Sequence, residues 1–320
     1  MRDPPMTTLS PSHQKTRDRK DSSRLDASDK TGSYRSPPWT FTGKALYQLS
    51  LVRIEDARKY VPDTIPLVNI FGYTLGGFYL ARYSGSPAGQ FDELVALAGL
   101  AWNFPTSCAW AARVYVNNDE AKQHGLNVVG LPSRRASFTR TIGGSAAGRA
   151  TASKSPKSPK SSEASDWWGV LEPHETSTLR IHNADARRAT IPVCSIDMSS
   201  TQVMKEKGRA SRAPPRIPKI QMFLPSFSGA TALCPDILKY SLRLATSVRF
   251  LKPMPVVVTT AGNDTGRKKE GDGGDIEAFI GQHVLGGRPL VCMSFDSMTM
   301  EVEAPERFTP RVSEYPSTSS

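Results

Sequence analysis

Apolar residues recur at every second position through much of the chain, and this alternation is the feature that most restricts its fold. Leu238 to Phe250 and Leu290 to Ala304 both alternate in this way, which is typical of strands that bury one face. Phe91 to Trp102 and Ala109 to Val116 are nearly continuous apolar runs, which favours buried strands of one sheet. The sequence therefore predicts a mainly β fold of antiparallel strands, closed or layered.

Few segments predict helices, and those that do are short. Glu55 to Val61 begins with acidic residues, ends with basic ones and is followed by Pro62, which favours a short helix. Asn117 to Gly125 predicts a second helix that is capped by a polar side chain and ended by glycine. We expect the chain to be extended again from Val128 to Pro132. The fold class is thus β-rich α+β.

Composition divides the chain into one domain, residues 37–305, with tails and insertions. The inserted segments are rich in small, polar and charged residues, and such segments cannot bury enough apolar surface to order themselves. We predict low-complexity insertions at about 143–166, 205–219 and 261–275, and disordered tails at 1–36 and 306–320.

The net charge of +11 raises the possibility of a nucleic-acid partner, so the position of the charge matters. Between Lys205 and Lys219, six Lys and Arg residues face one acidic residue, Glu206, in a segment interrupted by three prolines. A solvated loop is the expected result, because no RNA-binding or helix-turn-helix signature accompanies the charge. We expect no nucleic-acid partner, and polyanion binding by this loop is the alternative.

The four cysteines have no Cys-x-x-Cys spacing and no histidine at metal-ligand spacing, so we expect no metal and no cofactor. They predict reduced thiols in an intracellular compartment. No apolar run is long enough to span a bilayer, which predicts a soluble protein. The first 36 residues carry eight Lys and Arg but also five Asp. Transit peptides are usually poor in acid, so both cytoplasm and chloroplast remain open.

The stretch from Gly85 to Phe138 is the candidate functional region. It combines turn formers, a carboxylate pair at Asp92 and Glu93, and two large aromatics, Trp102 and Trp110, within an otherwise apolar segment. Sites held on a rigid scaffold have this character.

Seven motifs, in order along the chain, resemble the plant neoxanthin-deficient family of the acetoacetate decarboxylase-like superfamily. They are Pro37-Pro38-Trp39, Gly72 to Phe78, Ser86 to Gly89 with Phe91 to Leu94, Pro105 to Val114, Gly130 to Ser133, Leu224 to Gly229 with Leu238 to Ser241, and Met300 to Pro305. The resemblance omits the segment before Pro37, the insertion after Gly143 and the segment after Pro305.

The resemblance implies a central cone or barrel that encloses a small apolar pocket. Decarboxylases of the superfamily form a Schiff base with a lysine in a Gly-x-Pro-Lys-Lys motif, and a cationic neighbour activates that lysine. Gly130-Leu131-Pro132 matches the start of this motif, Ser133 takes the position of the nucleophile and Arg134 that of the neighbouring cation. Glu93 would match the acidic residue near the lysine, and Lys44 a basic residue on the first strand.

Each candidate residue also has a structural interpretation. Glu93 is either an acid, base or ligand anchor, or a buried carboxylate paired with Arg113 or Arg134. Ser133 would need a base to act as a nucleophile, and His124 is the nearby histidine, yet no Gly-x-Ser-x-Gly turn is present.

Trp102 and Trp110 either line a ligand pocket or pack in the core. The pocket candidates are therefore Glu93, Ser133, Arg134, Lys44, Trp102, Trp110 and Arg113.

A serine cannot form the imine that decarboxylation requires, and arginine remains protonated. The resemblance therefore implies an accessory protein for neoxanthin, and so xanthophyll, formation, upstream of abscisic acid in plants. An apolar or terpenoid ligand or a biosynthetic protein is the expected partner, and a homo-oligomer remains open. The alternative is an enzyme of the same superfamily that acts on a small keto acid or carbonyl compound.

Overall fold

The structure is a computed structural model that describes residues 34, 36–103, 106–144, 161–163, 175–184, 192–199, 218–258 and 274–309. Strands dominate this part of the chain, as the alternation predicts. The strands are β1 (Trp39–Arg53), β2 (Tyr73–Gly85), β3 (Phe91–Asn103), β4 (Thr106–Val116), β5 (Ser133–Gly144), β6 (Ser161–Glu163), β7 (Glu175–Asn183), β8 (Cys194–Asp197), β9 (Ile220–Gly229), β10 (Ile237–Leu251), β11 (Val256–Val257), β12 (Arg288–Val302) and β13 (Glu306–Arg307).

Seven of these strands close into a barrel. The order β4-β3-β2-β1-β12-β10-β9 is antiparallel throughout, and β9 returns to β4 in a parallel pair that joins Ala109 to Ser226 and Trp110 to Phe227. Two residues of each strand thus form the closing ladder. The prediction of a mainly β fold with a central barrel is confirmed.

A second group of strands extends the sheet beyond the barrel. β5 runs parallel to β4 from Ser133 to Arg135 and then pairs with β6 and β7, and β8 and β11 follow. Two apolar clusters result. One contains Leu179, Ile181 and Cys194 of the added strands together with barrel residues, so it covers the outer barrel wall. The other comes from barrel strands and the segment before β5, so it fills the interior.

The helices are short, as predicted: α1 (Ile54–Ala57), α2 (Asp119–His124) and α3 (Gly274–Phe279). Asn118 caps α2 by accepting a 2.9 Å hydrogen bond from the amide of Ala121. The α-helix ends at His124 with Gly125 as its C-cap, as predicted, but the extended conformation predicted at Val128 and Val129 is wrong. A π-helical turn, Gly125–Val129, follows the α-helix, and Gly130 ends this turn in the left-handed conformation at φ 69°.

Most of the predicted insertions and tails lie outside the described residues. Short pieces of them are described. Among these, β6 falls within the predicted insertion 143–166, and β13 lies just past the predicted domain end, where it pairs with Leu238 and Lys239 of β10. Residues 205–217 and 261–273 are not described. In the part of the chain that is described, no helix is both long and apolar enough to cross a membrane.

Gly229, at the end of β9, offers a test of how closely the backbone packs where β9 connects to β10. Gly229 has φ 90°, and an added Cβ would overlap the backbone carbonyl of Asp236. Gly89 has a similar φ of 80°, but an added Cβ would meet nothing within 4 Å. Gly89→Ala should cost about 1 kcal/mol for backbone strain alone. Gly229→Ala should cost about 3 kcal/mol or more, since strain and overlap add.

Urea unfolding of both variants measures the difference. Equal losses of unfolding free energy in the two variants would contradict the close contact between Gly229 and the Asp236 carbonyl.

Candidate functional site

A cleft of about 530 Å³ opens where the barrel closes. The ladder between β4 and β9 ends at Trp110, and the ladder between β4 and β5 begins at Val114. Residues 111–113 lie between these two ladders and line the cleft, together with Trp110, Leu131 and Pro132 and the end of β9. We call this space the seam cleft. Its volume is in the range of small-molecule sites.

An ion pair lies in the wall of the seam cleft. The Nε of Arg113 is 3.2 Å from Oε1 of Glu277, and the two side chains are 12% and 13% exposed. The hydroxyl of Tyr115 donates to Oε2 of the same carboxylate. Burial, and then the charge of Glu277, raise the pKa of Tyr115 well above its usual value, so this hydroxyl remains a donor. Glu277 thus has two partners.

Two aromatic rings and a lysine form another part of the cleft lining. Lys59, Tyr60 and Phe279 all line the seam cleft. The Lys59 ammonium lies 3.6 Å from the ring centroid of Phe279, and the rings of Tyr60 and Phe279 are 6.3 Å apart. Burial is the main cause that raises the pKa of Tyr60 to about 12. The Tyr60 hydroxyl is therefore protonated at neutral pH, and it can donate a hydrogen bond.

Glu93 lies elsewhere, inside the barrel. Its Oε2 accepts a 2.8 Å hydrogen bond from the hydroxyl of Tyr83, whose oxygen is 3.5 Å from that of Tyr79. Burial raises the pKa of Glu93 to about 7, and the Tyr83 hydrogen bond offsets part of that increase. The described contacts of Glu93 thus differ from the predicted pairing with Arg113 or Arg134.

An aromatic group lies against the helical segment before β5. Tyr34 stacks on His124 at 3.6 Å between ring centroids, and Trp39 meets the same imidazole edge-on at 4.4 Å. Burial lowers the pKa of His124 to about 4, so the ring is neutral at pH 7. No hydrogen-bond partner of its Nε2 lies among the described residues. Tyr34 falls within the predicted tail, and sequence reasoning missed it.

Ser133 is buried, and it packs against the backbone of the π-helical turn. Its Oγ lies 2.5 Å from the position that a Cβ on Gly125 would occupy. The next residue, Arg134, is exposed, because successive side chains of β5 point to opposite faces. Lys44 is exposed as well, and Trp102 is 50% exposed at the end of β3.

Two of the seven predicted pocket residues therefore share one cavity. Trp110 and Arg113 line the seam cleft, and the other five do not. Leu131 and Pro132, which precede Ser133 in its motif, line the cleft too. Sequence reasoning missed Tyr60 and Glu277. Glu277 follows a polar, glycine-rich segment that lacks periodicity, so no sequence signal marked it.

Comparison with known proteins identifies the family. No family model matches the chain. The chain is 39% identical over 295 residues to Protein NEOXANTHIN-DEFICIENT 1 of Arabidopsis thaliana, covering 88% of this chain and 98% of that protein. It is 39% identical over 300 residues to the protein of the same name from Oryza sativa subsp. japonica, covering 90% and 95%. The chain belongs to the NEOXANTHIN-DEFICIENT 1 family.

Solved structures agree on the fold of this NEOXANTHIN-DEFICIENT 1 family member. The enduracididine biosynthesis enzyme MppR with HEPES buffer bound matches at a TM-score of 0.50 and 12% identity, covering 88% of this chain and 91% of that chain. Acetoacetate decarboxylase from Legionella pneumophila matches at a TM-score of 0.49 and 9% identity, covering 91% and 94%. At 12% identity the comparison with MppR concerns the fold alone.

The raised pKa of Glu93 in this family member predicts a pH effect on stability. In the folded chain the pKa of Glu93 is about 7, whereas the usual pKa of a glutamate is 4.5. The folded state therefore holds more protons across this window, and its stability falls as the pH rises from about 4.5 to about 7. Glu93→Gln removes the titration and should raise the free energy of unfolding at pH 8 by up to about 3 kcal/mol.

Urea unfolding of wild type and Glu93→Gln at several pH values measures this effect. His124 acts in the opposite direction, because its lowered pKa makes stability fall as the pH drops from about 6.5 to about 4. Both chains share His124, so their difference isolates Glu93. Glu303→Gln, at a side chain 39% exposed, is the matched control. A constant difference between wild type and Glu93→Gln from pH 4 to pH 8 would contradict the raised pKa.

Proposed function

We propose that this protein acts in neoxanthin formation as an accessory protein without decarboxylase activity. The observation that carries the proposal is a serine at position 133 in a chain of the NEOXANTHIN-DEFICIENT 1 family. The names of the relatives support a role in neoxanthin formation, and the serine supports the absence of decarboxylase activity. In plants this role lies upstream of abscisic acid.

The chemistry at Ser133 argues against imine formation there. A hydroxyl cannot condense with a ketone to give the electron sink that a Schiff-base lysine supplies. Arg134 is exposed and Lys44 is exposed, so neither described cation takes the place of that lysine beside Ser133. Lys59, which does line the seam cleft, is 3.3 Å from Oδ1 of Asp56.

The seam cleft supports a binding role for an apolar or terpenoid-like molecule. Trp110, Leu131, Pro132 and Phe279 give it apolar walls, while Lys59, Tyr60 and Arg113 add polar groups. Small-molecule sites combine apolar walls with polar groups in this way. A partner protein of carotenoid biosynthesis is the other occupant that the proposal allows. The protein would act in the cytoplasm or the chloroplast, alone or as a homo-oligomer.

A pigment assay tests the proposed role. The chain is expressed in a neoxanthin-making plant line that lacks its own family member, and neoxanthin is measured by chromatography. We expect wild type to restore neoxanthin, and Ser133→Ala to restore it equally, because the hydroxyl has no catalytic part. Absence of neoxanthin with correctly folded wild type would overturn the pathway assignment. Loss confined to Ser133→Ala would overturn the structural role of the serine.

The second candidate function is an enzyme that acts on a small keto acid or another carbonyl compound. Glu93 favours it, since a carboxyl with a pKa of about 7 inside the barrel could exchange protons at neutral pH. Borohydride reduction in the presence of keto acids tests this candidate. A lysine labelled in peptide mass spectra, or turnover of any keto acid, would favour the enzyme over the accessory role.

Replacing the serine by the lysine of the decarboxylase motif should disturb the packing around position 133. The Ser133 Oγ already lies 2.5 Å from the position of a Cβ on Gly125, so a longer side chain must displace the π-helical turn. Ser133→Lys should lower the free energy of unfolding by about 1–3 kcal/mol. Arg134→Lys, at the exposed neighbour, should change it by less than about 0.5 kcal/mol. A Ser133→Lys variant as stable as wild type in urea would contradict the close packing.

A further inference from the structure

The seam cleft has a polar end whose hydrogen-bonding capacity the protein leaves unused. Apart from the ion pair with Glu277, no described residue contacts the Arg113 guanidinium through a polar atom. The Tyr60 hydroxyl likewise has no hydrogen-bond partner among the described residues. Both residues line the cleft. Of these donors, the Arg113 Nε is buried without a hydrogen-bond partner in the part of the chain that the structure describes. A ligand that brings an oxygen acceptor would complete the hydrogen bonding of this pair of side chains.

The size of the cleft restricts which part of a ligand can enter. About 530 Å³ suffices for a substituted ring of terpenoid size, while a long polyene chain would extend past the mouth. Trp110 and Phe279 offer flat apolar surfaces to such a ring. The cleft thus fits one ring end of a longer molecule.

The charges around the cleft select against an anionic ligand. Glu277 already neutralises Arg113 at 3.2 Å, and Lys59 is paired with Asp56 at 3.3 Å. A ligand carboxylate placed against Arg113 would therefore also face the carboxylate of Glu277. A hydroxyl, epoxide or carbonyl oxygen accepts the same hydrogen bonds without that repulsion.

We propose that the seam cleft binds the neutral, oxygenated ring end of an apolar molecule and holds its oxygen with Arg113 and Tyr60. This inference rests on the proposed function, because it names the ligand class of that role. It also disfavours small keto acids as occupants of this cleft, since they are anions at neutral pH.

Two ring compounds that differ in charge test the ligand class. β-Cyclogeraniol is a neutral ring alcohol, and β-cyclogeranic acid carries a carboxylate on the same ring at pH 7. Calorimetric titration of the full chain should give the alcohol an affinity at least about tenfold higher than the acid. Equal or tighter binding of the acid, or no binding of the alcohol, would overturn the inference.

Two variants test the parts that Tyr60 and Glu277 play in binding. Tyr60→Phe keeps the ring and removes one donor, so it should lower the affinity for the alcohol by about five- to tenfold. Tyr73→Phe, at a tyrosine 40% exposed outside the cleft, is the matched control and should leave binding unchanged. Glu277→Gln removes the repelling charge and should raise the affinity for the acid about tenfold, with the alcohol changed less than about twofold.

The outcomes are distinguishable from those of the pigment assay. The ligand assignment fails, even where pigment is restored, if Tyr60→Phe and Tyr73→Phe bind the alcohol with equal affinity. It also fails if a folded Glu277→Gln variant binds the acid no more tightly than wild type. If binding follows the expected order and wild type restores no neoxanthin, the ligand assignment stands and the pathway role fails.

Discussion

The short parallel pairing of β4 with β9 is the constraint on which the rest of this structure depends. Six of the seven barrel contacts are long antiparallel ladders, whereas the seventh joins only Ala109 and Trp110 to Ser226 and Phe227. This short ladder makes a closed barrel from an otherwise open sheet, and it removes the exposed edges that an open sheet would leave. It also leaves 111–113 between two ladders, which is where the seam cleft opens.

The closed interior and the open seam have different chemistry because they differ in access to water. Inside the barrel, burial raises the pKa of Glu93 to about 7. Beside the barrel, burial lowers the pKa of His124 to about 4, so that its ring is uncharged at pH 7. In the seam cleft, charges persist because Arg113 and Glu277 neutralise each other. The protein thus has a carboxyl with a raised pKa inside the barrel and an ion pair in the wall of the seam cleft, and the two lie apart.

Sequence alone predicted most of the fold and little of the site. Alternation located β10 and β12, and a continuous apolar run located β3, because these patterns are local. The seam cleft depends on contacts between residues far apart in sequence, such as Arg113 with Glu277, and no local pattern encodes those. The extended chain predicted at Val128 was wrong because Gly130 lets a helical turn continue and then end in the left-handed conformation. The motif at Ser133 lies beside the seam cleft, but it is Leu131 and Pro132 that line the cleft, and Ser133 does not.

A crystal structure of the chain with β-cyclogeraniol bound tests the central claim most directly, because it locates the ligand without reference to any pathway. The account predicts electron density for the ring between Trp110 and Phe279, with the alcohol oxygen within hydrogen-bond distance, about 2.7–3.2 Å, of Arg113 and Tyr60. Density inside the barrel against Glu93, with an empty seam cleft, would contradict it.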